Sequence, residues 1–285
     1  MYNLILSSVL IILLLILIMF ILRLLLKKSF HHAHVYQNLE PKDFDLSSEE
    51  LFIQTTNKKK VQVYRLGDQN KGPMVLCIHG WENTVEKFLP LSQQFVQRGY
   101  RVVLLNTRNH GKSDADGYSS MVQFAEDLKS TITYCRSIYG EDTSIFLLGH
   151  SLGAATVLYH ASKDSKLAGV ISLASFAELK KVIKESFLSK HMPRMIIPLI
   201  LKFMELSVGD RFENLSPIFT IGRINIPVLL LHGDHDKIIH VSELQKIHSA
   251  SSSEKILTKT IAGADHSSIL DYPETAETIL AFLSR

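Results

Sequence analysis

The chain has 285 residues, 46% of them hydrophobic, and a formal net charge of +3. That suffices for one large domain with a substantial core, or two small ones. The basic residues form no stripe of the kind a nucleic-acid binder needs, so nucleic acid is not expected as a partner. Cys77 lies in an apolar run and Cys135 in a helical stretch; with no CxxC pair they exclude a disulfide framework or zinc site and read as small core residues.

From Leu4 to Leu22 the sequence is nearly all Leu, Ile, Val, Met and Phe, 19 residues without a charge, close to the ~20 that cross a bilayer. Arg23 can snorkel, which extends the apolar stretch to Leu26. A cleaved signal peptide would carry positive charge before a shorter run, whereas Met1-Tyr2-Asn3 carries no charged side chain. Residues 4–26 are therefore expected to be an uncleaved single-pass membrane anchor, and 1–28 the anchor with its flank. Lys27 and Lys28 follow the span and put the rest of the chain in the cytoplasm by the positive-inside rule. His31, His32 and His34 read as a hydrated interfacial segment rather than a metal site. Residues 29–50, polar and mixed, read as a linker, and 51–285 as the folded domain. Lys58–Lys60 fits a solvated loop or strand end.

"VQVYRL" (61–66) alternates like an antiparallel edge strand. "MVLCIHG" (74–80), "RVVLLNT" (101–107), "SIFLLGH" (144–150), "LAGVISLAS" (167–175) and "PVLLLHG" (227–233) are near-continuous apolar runs, the pattern of parallel strands buried on both faces. Between and after them, residues 85–98, 119–138, 242–249 and 274–283 carry helical periodicity. Alternating strand and helix predicts a mostly parallel, doubly wound α/β sheet, whose ligands sit outside the C-terminal strand ends.

One strand end stands out: Gly149-His150-Ser151-Leu152-Gly153. A strand that turns into a helix within two residues bends sharply, and Gly149 and Gly153 leave room where a Cβ would clash. The bend pushes the Ser151 hydroxyl out over a helix N-terminus, which favours developing negative charge. A serine nucleophile needs a base held by a carboxylate. "LLLHGDHD" supplies Asp236 and "IAGADHSS" supplies His266. Asp234 is the competing acid, expected instead to shape the turn, and Asp265 is expected to point elsewhere. His232, His235 and His240 crowd one turn without a recognised ligand spacing, so no metal is expected. The backbone N–H groups of Trp81 and Leu152 are the expected oxyanion donors, and the Trp81 indole either walls the pocket or simply packs.

Five motifs in this order, "HGW" (79–81), "NTRNHGKSD" (106–114), "GHSLG" (149–153), "LHGDHD" (231–236) and "GADH" (263–266), resemble the α/β-hydrolase superfamily. The closer similarity is to its serine-nucleophile branch of esterases, monoacylglycerol lipases, lysophospholipases and S33-type peptidases. It covers roughly residues 60–285 and departs from the family at Asn106, where Asp is common, in a loop that is mainly structural there. It implies an α/β-hydrolase fold and two-step acyl transfer on Ser151, with no cofactor. Such folds insert a cap where residues 176–222 lie. Here it contains the apolar "HMPRMIIPLILKFMEL" (191–206), expected as a small helical lid that packs on the sheet, lines an acyl pocket or touches the bilayer. The expected function is a membrane-anchored serine hydrolase of carboxylic esters, with a small-molecule or lipid acyl substrate such as a monoacylglycerol or lysophospholipid. A peptidase or thioesterase with the same residues is the alternative within the class, and a non-catalytic tethered binding protein the alternative outside it. The oligomeric state is left open.

Overall fold

Runs of Val, Ile and Leu bury both faces of a strand only if helices cover the sheet on each side, and that requirement sets the architecture. The structure, a computed structural model, describes residues 2–29 and 33–285. Its centre is one eight-stranded sheet of β1 (Ser48–Gln54), β2 (Lys60–Leu66), β3 (Met74–Ile78), β4 (Arg101–Leu105), β5 (Ile145–His150), β6 (Gly169–Leu173), β7 (Val228–Gly233) and β8 (Ile256–Ile261), in the order β1-β2-β4-β3-β5-β6-β7-β8. β1 pairs antiparallel with β2 and β2 with β4; from β4 through β8 every pairing is parallel. Side chains alternate across the sheet. Leu76 and Ile78 of β3 join one core with Val103, Leu105 and Leu147, while Val75 and Cys77 join the other with Val102, Leu104 and Leu148.

The N-terminal helix is α1 (Tyr2–Ser29), and α2 (Leu89–Gln97), α3 (Met121–Tyr139) and α4 (Leu152–Ala161) follow among the first strands. α3 and α4 pack on the first core, through residues such as Phe124, Leu128, Ala155 and Leu158. α2 packs on the second. Between β6 and β7 lie α5 (Leu179–Ser189), α6 (Ile197–Val208), α7 (Phe212–Leu215) and α8 (Pro217–Thr220), filling the expected lid span. Pro198 stands in the first turn of α6, where its missing N–H costs no helical bond. α9 (Ser242–Ser249) and α10 (Pro273–Leu283) complete the chain.

Two expectations change. β2 is not an edge strand: β1 flanks it, and β2 is buried along nearly its whole length. Its alternation comes from Gln62, whose buried amide bonds the Tyr64 hydroxyl at 2.8 Å and accepts from Asn106 Nδ2 at 2.8 Å. The stretch 29–50, read as a linker, already contains the start of β1, and from His34 onward it docks on the domain. Val35 forms a parallel bridge to His110, the Asn38 and Leu39 N–H groups donate to Glu86 at 2.8 and 3.1 Å, and Pro41 and Leu46 are buried.

In α1 the described apolar side chains, Ile5, Leu10 and Phe20 among them, are well exposed. Among the described residues, which leave out several α1 side chains, no helix is long and apolar enough to cross a membrane. The span expected at Leu4–Leu22 therefore stands on the sequence pattern. The side chains of Arg23, Lys27 and Lys28, and residues His31 and His32, lie outside the described residues.

Candidate active site

The bend at Gly149–Gly153 is as tight as its spacing requires. Ser151 sits between β5 and α4 at φ 54°, ψ −115°, a conformation that costs a non-glycine residue of order 1–3 kcal/mol. The strain is held by packing on both sides. A Cβ on Gly149 would lie 2.3 Å from the Gly153 carbonyl oxygen, and one on Gly153 would lie 2.4 Å from that of Ile78. The Ser151 N–H donates to Leu173 O of β6 at 2.9 Å, tying the elbow to the neighbouring strand.

The turn that follows β3 lies directly against the serine: a Cβ on Gly80 would come within 2.9 Å of Ser151 Cβ. Trp81 is the next residue, partly buried against the first core. Leu152 opens α4, so its N–H has no acceptor within the helix. The two residues expected to supply oxyanion donors are thus the immediate chain neighbours of Ser151 and of the Gly80 that lies against it. His79 fixes the turn between them. Its Nε2 accepts from the Thr107 N–H at 3.1 Å, which leaves Nδ1 as the donor to Gly80 O at 2.8 Å.

Asp236 follows β7 and His266 follows β8, and both reach the same rim. His266 Nδ1 donates to Asp236 Oδ2 at 2.7 Å, which leaves Nε2 to accept from the Ser151 hydroxyl at 2.9 Å. Asp236 is buried. Burial alone would raise its pKa, but hydrogen bonds from His232 and His266 and from the Ile239 N–H hold the carboxyl well below the usual carboxylate range. Its Oδ1 accepts from the N–H groups of Ile238 and Ile239 at 2.9 and 2.8 Å. The carboxylate is therefore ionised and fixed from both sides.

The competing acids lie elsewhere. Asp234 is exposed and accepts from the Gly263 N–H at 2.7 Å, shaping the turn. Asp265 accepts from the N–H groups of Ser267 and Ser268. Among the described residues no group of three or more His, Cys, Asp or Glu is placed to hold a metal ion; His235 and His240 are exposed.

Two histidines at the site were not assigned these contacts from the sequence. His150 Nε2 donates to the backbone oxygen of His266 at 2.6 Å. Its ring is fully buried, and burial, followed by the neighbouring His266, pushes its pKa down to about 4, so it is neutral. His232 Nε2 donates to Ile239 O at 2.7 Å and lies 3.2 Å from Asp236 Oδ2. The only signal for either was its position inside GHSLG or LHGDHD, because the contacts join segments far apart in sequence. Asn106 explains the departure from the family pattern. Its Nδ2 donates to Gln37 and Gln62, while its Oδ1 accepts from the Val85 N–H. A carboxylate there would face two amide oxygens.

This strand order, with a serine on a strained strand-to-helix turn and a helical insertion between β6 and β7, defines an α/β hydrolase. The sequence model of the family described as serine aminopeptidase, S33 matches residues 69–215, just over half of the chain, and the chain belongs to that family. The uncharacterized protein YqkD of Bacillus subtilis (strain 168) is 23% identical over 203 residues, 69% of this chain and 66% of that protein. The thermostable monoacylglycerol lipase of Bacillus sp. (strain H-257) is 22% identical over 232 residues, 75% of this chain and 92% of the lipase. The chain spans 66%, 41% and 28% of the lengths of the first three curated relatives it matches. Among solved structures, the Pyrococcus furiosus esterase Pf2001 superposes with a TM-score of 0.71 at 20% identity, covering 88% of this chain and 98% of the esterase; at that identity the likeness is one of fold.

Proposed function

We propose that the protein is a membrane-anchored serine hydrolase that cleaves carboxylic esters, with acyl lipids such as monoacylglycerols or lysophospholipids as the substrate class. One observation carries the reading: the continuous hydrogen-bond chain from Ser151 Oγ through the His266 imidazole to the buried Asp236 carboxylate. In the proposed reaction Ser151 Oγ bonds to the acyl carbon as His266 Nε2 takes its proton. The N–H groups of Trp81 and Leu152 receive the carbonyl oxygen as it gains charge. The tetrahedral intermediate collapses, and His266 passes the proton to the departing alkoxide oxygen. Water, deprotonated by His266, then adds to the acyl carbon, the bond to Ser151 Oγ breaks as His266 returns the proton to that oxygen, and the acid leaves.

The lipid preference is supported by the apolar insertion between β6 and β7, where Ile197, Ile200, Leu201 and Met204 are buried in the same core as Leu152. The anchor is supported by the uncharged run Leu4–Leu22, and a cytoplasmic position by Lys27 and Lys28. Wild-type protein is expected to react with a fluorophosphonate probe and to hydrolyse p-nitrophenyl esters, with medium and long acyl chains preferred over acetyl. Ser151→Ala should lose both, with turnover falling by as much as about 10⁶-fold, as in a well-studied triad. Retained turnover in Ser151→Ala would remove the nucleophile assignment. Absence of labelling in the wild type would favour a non-catalytic binding protein. An acetyl preference would sink the lipid reading.

The family's description supports a second reading, hydrolysis of a peptide bond after an N-terminal residue. Aminoacyl arylamides assayed beside the esters discriminate the two.

A further inference from the structure

The insertion between β6 and β7 carries a groove of about 590 Å³ between α5 and α6. Its lining combines the apolar Leu188, Pro198 and Leu201 with the cations Lys180, Lys184 and Arg194 and with the Lys202–Glu205 pair. Next to it the chain exposes large apolar side chains, with Met195 92%, Leu199 59% and Leu206 68% accessible. Between residues 180 and 202 there are six Lys or Arg and one acid, Glu185. Lys181 pairs with Glu185 and Glu243, and Lys202 with Glu205. Lys180 acts on Glu205, which lines the same groove, and Lys184 and Arg194 are exposed. Apolar side chains ringed by an excess of cations suit a surface that is negatively charged at its boundary and apolar beneath it.

The topology also aims this face. The insertion leaves the sheet at the C-terminal end of β6. The segment that follows α1 lands on the loop after β4, with the Val35 N–H donating to Asn109 O at 3.0 Å and His34 Nε2 bonding Gly111 O at 2.6 Å. β4 and β6 run the same way in the sheet, so both features lie at one rim, the rim that holds Ser151. We infer that the α5–α6 face docks on the surface of an anionic bilayer through Lys180, Lys184 and Arg194, with Met195 and Leu199 entering the interface. The direction of this docking rests on the anchor proposed above; the groove and its charge do not.

The test uses the full chain in vesicles. Cys77 and Cys135 are both buried, so Met195→Cys takes an environment-sensitive fluorophore selectively. In phosphatidylcholine vesicles containing phosphatidylserine the probe is expected to shift to the blue and escape an aqueous quencher. In pure phosphatidylcholine, or in high salt, it should stay exposed. Each cation near such a surface contributes roughly fivefold, so the triple variant Lys180→Glu, Lys184→Glu, Arg194→Glu should lower the docked-to-free ratio by about a hundredfold or more. Fluorophosphonate labelling of Ser151 should be unchanged in that variant, which shows that it is folded. Equal probe exposure on neutral and anionic vesicles overturns the inference, as does protection in lipid-free detergent that rises with protein concentration, which marks self-association. Flotation with neutral vesicles reads the anchor separately. A chain that fails to float there but floats with anionic vesicles through the three cations loses the anchor and keeps the docking face.

Discussion

Gly153→Ala tests how far the site depends on backbone packing. The added Cβ would lie 2.4 Å from Ile78 O and 2.5 Å from His79 O. Neither oxygen yields easily, because β3 is paired on both sides, with Ile78 opposite Leu105 and Gly149. Restoring an ordinary contact requires the first turn of α4 to move away from β3 by about 1 Å in a close-packed interior. That turn carries the Leu152 N–H, and the loop after β3 carries that of Trp81, so the two proposed oxyanion donors separate by about the same distance. A hydrogen bond of ~2.9 Å stretched that far is lost. Losing one such donor costs about 10²–10³ in kcat, and the overpacking itself about 1–3 kcal/mol of stability. The assay is kcat and KM on a p-nitrophenyl ester beside the urea midpoint. Gly222→Ala serves as control, since a Cβ there meets nothing nearer than 3.7 Å. The expected result is a kcat loss of two to three orders of magnitude with KM little changed. A Gly153→Ala enzyme within threefold of wild type would refute the reasoning.

Asp236→Asn should leave the fold intact and lower kcat by about 10³–10⁴, because its NH₂ must face either the Ile238 and Ile239 N–H groups or His266 Nδ1, forcing the wrong tautomer in the second case; kcat at neutral pH checks it. His150 is buried and neutral with a pKa pushed to about 4 from 6.5, so the unfolded chain binds this proton first as pH falls. Stability is unaffected above pH 6.5 and declines between 6.5 and about 4, by about 3 kcal/mol in all; urea midpoints at pH 7.5 and 5 should differ less in His150→Asn. Arg108 is buried and bonds Asp127 at 2.7 and 2.9 Å. Arg108→Ala should cost about 3–5 kcal/mol by leaving that carboxylate without its partner, and a melting temperature not lowered relative to wild type would contradict this.

The parallel strands and the three residues that meet at the rim could be read from local pattern, because each rests on a short apolar run ending in a chemical group. "LLLHGDHD" and "GADH" place Asp236 and His266 without any knowledge of distance. β1 could not be read in this way: "SEELFIQ" opens on three polar residues, is mostly exposed and lies at the sheet edge, so its sequence carries little hydrophobic signal. The Gln62–Asn106 network made β2 alternate like an edge although it is interior. The contacts of His150 and His232 are tertiary, and no periodicity encodes them.

The docked segment before β1 has a practical consequence. A version of the protein shortened to begin at residue 51, where the sequence pattern places the domain boundary, would strip Asn106 of its Gln37 acceptor, remove the buried Pro41 and Leu46, and take away Ser48, Glu49 and Glu50, the partners of Leu66, Arg65 and Tyr64 in β2. Such a truncation would leave the end of β2 unpaired on one side and invite aggregation. Starting instead at Ala33 keeps the docked segment, and with it the whole of the short, polar strand that shields β2.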